Sequence, residues 1–192
     1  MVSWMDRVAR DWVAAGDGPP AGAAVAAFSG LLGAAHVRSA CERSASPDAA
    51  PALDGVLHGL RTLVADLEPL PDRIDSHARA VDAAEEPAAR SSAHRAATED
   101  LLAAFDACFA VLGIAHRAVG AVRDDLVADL WTGAGLVAAA LEALAICVRS
   151  SLPEIADETY TRPTKARLIA ALLEARRERE RVLQAVESRL VL

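Results

Sequence analysis

Apolar side chains recur every three to four residues along most of this chain, which is the spacing of one face of an α-helix. Leu53, Leu57 and Leu60 show the period clearly, and prolines, glycines and short polar stretches separate one apolar segment from the next. The pattern predicts an all-α protein. Its helices are predicted at about residues 2–15, 20–45, 49–68, 72–86, 88–120, 123–151 and 164–190, with a loop or short turn at 151–163.

Two of these segments, 20–45 and 123–151, are apolar on most sides and rich in alanine and glycine. Two stretches there, residues 19–37 and 130–148, are nearly uncharged and long enough to suggest membrane spans. Alanine and glycine contribute little to insertion, however, and the second segment contains Glu142. We therefore expect no membrane association. The prediction is a bundle of six to seven helices in one domain over 1–192, with these two helices buried at its centre.

Composition excludes several classes of protein. Alanine fills 45 of 192 positions, while aromatic residues make up only 4%, so a β-rich fold is not expected. The net charge of −7 argues against nucleic acid as a partner. The only basic run, ARRERER at 175–181, interleaves Glu with Arg, as a solvated helix face does. Three scattered cysteines and a charged N-terminal segment predict a reduced, cytoplasmic protein.

Isolated motifs point to no chemistry by themselves. The five histidines stand in no metal-binding frame, so no metal is predicted. The carboxylate pairs Asp72/Asp75 and Asp125/Asp129 are each one helical turn apart, but such pairs on an acidic helical protein are usually solvated. No phosphate-binding loop and no serine-nucleophile motif is present in the sequence.

Three longer stretches together resemble the cyclodeaminase/cyclohydrolase family. This family includes the C-terminal domain of formiminotransferase-cyclodeaminase and stand-alone bacterial methenyltetrahydrofolate cyclohydrolases. The stretches are PPAGAAVAAFSGLLGAA at 19–35, IDSHARAVDAA at 74–84 and VADLWTGAGLVAAALEALAICVRSSLPEIADE at 127–158. They are similar to the family's Pro-Gly-Gly-Gly helix start, its Asp-x-Asp segment and its Asn-Val-Arg-Ile-Asn-Leu close, in the same order.

The resemblance implies an all-α homodimer that binds a reduced folate and carries no cofactor of its own. The implied reaction is hydrolysis of 5,10-methenyltetrahydrofolate, or cyclisation of formimino-tetrahydrofolate with release of ammonia. Both reactions need a group that moves a proton beside an amidine-type carbon. A homodimer is also expected because one subunit has difficulty burying both the small-residue face of residues 22–34 and the apolar helix 123–151.

Carried over by position, the resemblance implies catalytic roles for Asp75 and His77. It implies substrate binding by Gly22, Asp129 and Arg149. Glycine at a helix start would expose backbone N–H groups to the ligand, and Arg149 could meet a carboxylate bidentately.

The match at the site is uneven. His77 replaces the second Asp of the family's segment, and a shift of one helical turn would bring forward Asp72 or Asp82 instead. Ala21 and Ala23 replace the glycines on either side of Gly22. Two other hypotheses therefore remain: a family member with a different substrate in a specialised pathway, and a non-catalytic helical protein that binds a ligand or a partner.

Overall fold

The computed structural model describes residues 21–46 and 50–190 of the chain. Within these ranges it contains six α-helices, two short 3-10 turns and no strand, which confirms the predicted all-α bundle. The helices are α1 (Gly22–Ser44), α2 (Ala50–Leu67), α3 (Leu70–Ala83), α4 (Pro87–Ala118), α5 (Val127–Ser151) and α6 (Glu158–Leu190). The 3-10 turns are Asp124–Leu126 and Leu152–Glu154. The helix predicted at 2–15 lies outside the described residues.

Helices α1 and α5 form an antiparallel pair at the centre of the bundle, and they pack more extensively than any other two described helices. Their backbones touch where two glycines meet. A Cβ atom added to Gly33 would lie 2.7 Å from the carbonyl oxygen of Gly133. One added to Gly133 would lie 2.8 Å from the Gly33 carbonyl oxygen. Only glycine permits this approach, since every other side chain begins with a Cβ.

The remaining helices pack against this pair and against one another. α4 packs against α5 and α3, α2 packs against α1 and α4, and α6 packs against α5 and α4. The largest fully buried side chains are mostly leucines, joined by Phe105 at the middle of α4. Alanine fills most of the contact between the central helices, with Ala27, Ala34 and Ala140 buried there. Small side chains let the helix axes come close, which is why an alanine-rich chain can form a dense core.

The start of the last helix differs from the sequence prediction, which placed a loop at 151–163 and a helix from residue 164. Helix α6 begins at Glu158 and includes Pro163 in its second turn. Asp157 caps this start: its Oδ1 accepts hydrogen bonds from the backbone N–H of Thr159 at 3.0 Å and of Tyr160 at 3.2 Å. The prediction was wrong because it took Pro163 as a break, although proline removes only one backbone donor near a helix start.

Three helices are long and apolar enough to cross a membrane when only length and composition are considered: Gly22–Ser44, Pro87–Ala118 and Asp124–Glu154. In their most apolar windows, between 50% and 61% of the residues are buried inside the protein. Packing inside the bundle explains why these buried residues are apolar. The absence of a membrane partner stays a prediction.

Candidate functional site

The start of α1 depends on a carboxylate from another helix. Ala21 precedes the first helical turn and has no side chain that could cap it. Its backbone N–H donates instead to Oδ1 of Asp75 on α3, at 3.2 Å. Asp75 is partly buried and also pairs with Arg79 through its other oxygen, at 2.8 Å. A negative charge at the positive end of the α1 dipole is favourable, so Asp75 holds α3 against this helix start.

A cavity of about 250 Å³ opens beside this contact. It lies between the start of α1, the middle of α3, the first half of α4 and the last turn of α5. Its polar side chains are Asp82, His94, Cys147, Ser150 and Ser151. Gly22 borders the cavity with open space around it, because an added Cβ would meet nothing within 4 Å. The structure therefore brings together Gly22 and Asp75, two of the five predicted site residues.

Side chains of α3 make two different sets of contacts. Ala78 and Asp82 line the cavity, three and seven residues after Asp75, and so lie on the same helix face. His77 faces the buried carboxylate of Asp100 on α4, with Nε2 3.1 Å from Oδ2. Arg73, one turn before His77, donates to Oδ1 of the same carboxylate. Asp82 lines the cavity, whereas His77 does not; Asp82 is one of the two residues, with Asp72, that a shift of the alignment would bring forward.

Asp129 lies at the opposite end of the central helix pair. Its Oδ2 accepts a hydrogen bond from Nη1 of Arg43 at 2.9 Å, which joins the first turn of α5 to the last turn of α1. From Asp129 to Ser150 the helix rises roughly 30 Å, at about 1.5 Å per residue. Asp129 therefore does not share the cavity with Gly22 and Asp75 in one copy of the chain.

Arg149 is near the cavity but does not line it. It borders a separate cleft of about 520 Å³, together with the turn after α5 and the first two turns of α6. The side chain is exposed and has neither an ion pair nor a hydrogen bond among the described residues. Arg149 is therefore available to bind an anion, as the family resemblance implied. It would do so in this cleft and not in the cavity beside the start of α1.

The thiols are poor candidates for nucleophiles. Burial raises the pKa of Cys41 to about 11 and that of Cys108 to about 12, and it also raises the pKa of Cys147 in the cavity wall. Protonated thiols are weak nucleophiles and weak metal ligands. Among residues 21–46 and 50–190, no three His, Cys, Asp or Glu side chains are grouped to hold a metal ion. That the protein carries no metal stays a prediction.

Sequence reasoning missed two residues at this end of the bundle. His94 lines the cavity, and Asp100 anchors α3 from the core with a side chain only 7% exposed. Each lies in an unremarkable stretch of α4. Helical spacing places Asp100 near the buried residues Ala97 and Leu101, which is the one signal that could have suggested a buried carboxylate with partners.

A model of the formiminotransferase-cyclodeaminase family matches residues 9–170, most of the chain. The chain belongs to this family. The match confirms the resemblance that the sequence motifs suggested. A search of the curated proteins found no match.

A solved structure agrees with this family assignment. The formiminotetrahydrofolate cyclodeaminase of Thermotoga maritima is similar with a TM-score of 0.80 and 18% sequence identity. The similarity covers 98% of this chain and 96% of that chain. At this identity it shows that the two proteins share a fold. In this chain, that fold places a cavity lined by the carboxylate of Asp82 and the imidazole of His94 beside the start of α1.

Proposed function

We propose that this formiminotransferase-cyclodeaminase family member acts on a one-carbon derivative of tetrahydrofolate in the cavity beside the α1 start. The observation that carries the proposal is the convergence there of Gly22, Asp82 and His94 from three different helices. The family membership and the shared fold support the choice of substrate.

The proposed chemistry has two forms. In hydrolysis, water adds to the cationic methenyl carbon of the folate and loses one proton. One of the two bonds from that carbon to nitrogen then breaks, the departing nitrogen takes up the remaining hydroxyl proton, and a formyl group is left on the other nitrogen. In cyclisation, N10 of the folate attacks the formimino carbon and loses its proton, while the departing nitrogen gains protons and leaves as ammonia. In both forms the reacting carbon belongs to a positively charged amidine group. A side chain beside it must therefore accept or donate a proton.

Asp82 and His94 fit these needs. Asp82 has no ion pair among the described residues, so its charge is not already compensated by a neighbouring arginine. A carboxylate supplies a fixed negative charge beside a cationic carbon. An imidazole can exchange protons near neutral pH. In this proposal Asp75 holds the start of α1 in place, and His77 contacts Asp100 of α4 and so helps to hold α3.

The test is turnover of 5,10-methenyltetrahydrofolate, followed by loss of its absorbance, and ammonia release from formimino-tetrahydrofolate. We expect Asp82→Asn and His94→Gln each to lower kcat by about 100-fold or more, as loss of a general acid or base does. The matched control is His77→Gln on α3, which does not line the cavity and which we expect to keep kcat within about threefold, a change in barrier below about 1 kcal/mol. An equal loss in the control would contradict the assignment.

A second function has one observation in its favour. The cavity, at about 250 Å³, is smaller than the roughly 300–1,000 Å³ of typical small-molecule sites, and the flanking Ala21 and Ala23 border it. This favours a family member that carries out related amidine chemistry on a smaller substrate. Folded protein that turns over neither folate would support this alternative, or a non-catalytic binding role, over the folate proposal.

The predicted homodimer stays a proposal, and its basis changes. The small-residue face of α1 packs against α5 of the same chain, so it does not require a partner. Apolar surface remains on the outer side: Val25 is 38% exposed, Leu32 is 42% exposed and Ile146 is 65% exposed. A second copy could cover it. Sedimentation should give twice the mass of one chain, and Ile146→Asp should halve it. The cytoplasmic location and the absence of a bound cofactor stay predictions.

A further inference from the structure

Most of the arginines in the described part of this acidic chain have a carboxylate or carbonyl partner. Arg43 pairs with Asp129, Arg176 with Glu142, and Arg95 with Glu99 and Asp157. Five cations have neither an ion pair nor a hydrogen bond among residues 21–46 and 50–190. They are Arg117, Arg149, Arg162, Lys165 and Arg179.

Three of these five line one cleft. Arg149 comes from the last turns of α5, while Arg162 and Lys165 come from the start of α6. The cleft measures about 520 Å³, and its floor includes Leu152 and Pro153 of the intervening 3-10 turn. Its one carboxylate, Glu158, leaves a local excess of two positive charges on a chain whose net charge is −7.

The arrangement on α6 keeps these charges together. Glu158, Arg162 and Lys165 follow one another at four and three residues, so all three project from the same helix face. Arg149 approaches from a different helix. Like charges held in one concave site repel one another, and a bound anion removes that repulsion. Arginine offers paired donors to a carboxylate or phosphate, and lysine offers a compact charge.

We propose that this cleft binds an oligoanion, a ligand with at least two carboxylate or phosphate groups. One anionic group would engage Arg149, and another would engage Arg162 and Lys165. The proposal does not depend on the proposed folate chemistry, because the cleft and the cavity are lined by different residues. Ser150 and Ser151 of the cavity nevertheless adjoin Arg149 along α5, so both sites lie at the same end of that helix.

The experiment is calorimetric titration of the folded chain with tri-glutamate and, separately, with tripolyphosphate. Low ionic strength, about 50 mM, limits screening of the charges. The test variant is Arg162→Gln with Lys165→Gln. The matched control is Arg117→Gln with Arg179→Gln, which removes two other unpaired cations and the same net charge. We expect saturable binding that the test variant weakens at least tenfold and the control weakens less than twofold.

Each outcome of the titration either supports or overturns the proposal. Stronger binding of tri-glutamate supports the cleft and indicates a polycarboxylate ligand, whereas stronger binding of tripolyphosphate supports it and indicates a phosphate ligand. Absence of saturable binding to both probes, or equal weakening in the two double variants, overturns the proposal. If the test variant does not fold, Arg149→Gln on the exposed end of α5 must weaken binding at least threefold. Loss of folate turnover with intact anion binding would contradict only the proposed function.

Discussion

Gly33 and Gly22 lie on the same helix, and the protein uses them in opposite ways. At Gly33 the backbones of α1 and α5 are in contact, and no room remains for even one carbon atom. At Gly22 the helix begins beside a cavity, and the position of its missing side chain is open space. One glycine therefore permits close packing, while the other leaves backbone accessible. Only their neighbours distinguish them, since both lie in the same alanine-rich segment.

The largest effect on stability is expected where the backbones of α1 and α5 touch at Gly33 and Gly133. Gly133→Ala places a methyl group 2.8 Å from both the Gly33 carbonyl oxygen and the Val37 backbone nitrogen. Because backbone cannot turn aside as a side chain can, the helices must separate, and we expect a loss of about 3 kcal/mol in the free energy of unfolding. Urea denaturation measures it.

The control for this change lies two residues away. Gly135 is also within α5, but an added Cβ meets nothing within 4 Å. Gly135→Ala should raise the free energy of unfolding by up to about 1 kcal/mol, since alanine favours helix. If both alanine variants shift stability in the same direction, the contact between Gly33 and Gly133 is not the cause of the change.

The next largest effect is expected at the start of α1, beside the cavity. Asp75→Ala removes the acceptor for the Ala21 N–H and the partner of Arg79. We expect the free energy of unfolding to fall by about 1–2 kcal/mol, as for the loss of a helix cap. Hydrogen exchange at the start of α1 should speed up more than exchange at the centre of that helix. Asp54→Ala, an exposed carboxylate of α2 without an ion pair, is the control and should leave both measurements unchanged.

A smaller effect on stability is expected at His77 of α3. His77→Ala leaves the buried carboxylate of Asp100 with Arg73 as its one remaining side-chain partner. We expect a loss of up to about 1 kcal/mol in the free energy of unfolding, since an ion pair with a partly exposed side chain contributes little. Thermal unfolding checks the value. Unchanged stability together with lost turnover would return His77 to the catalytic role that the family motif implies.

The smallest effect on stability is expected at Gly22. Gly22→Ala adds a methyl group to open space, so the free energy of unfolding should change by less than about 1 kcal/mol. The same methyl group narrows the cavity beside the helix start. KM for the proposed folate should therefore rise more than kcat falls. A large loss of stability here would remove the contrast with Gly33.

The sequence predicted the helical segments well but the site only in part. Local spacing was enough to place α1 to α5 within a few residues, because helix formation depends on neighbours three and four positions away. The start of α6 was missed because Pro163 outweighed the Asp157 cap in the interpretation. At the site, the resemblance implied roles for Asp75 and Gly22, which the structure places beside one another, and for His77 and Asp129, neither of which lines the cavity. The roles themselves stay predictions.

The sequence by itself determined that the chain is helical, where α1 to α5 lie and which family it resembles, since these follow from local periodicity and ordered motifs. The tertiary structure decided which face of each helix meets which neighbour. A rotation of one residue about a helix axis turns a side chain by about 100°, which distinguishes His77 against the core from Asp82 in the cavity. The cationic cleft has the same origin, because Arg149 and Lys165 are brought together only by the packing of α6 on α5.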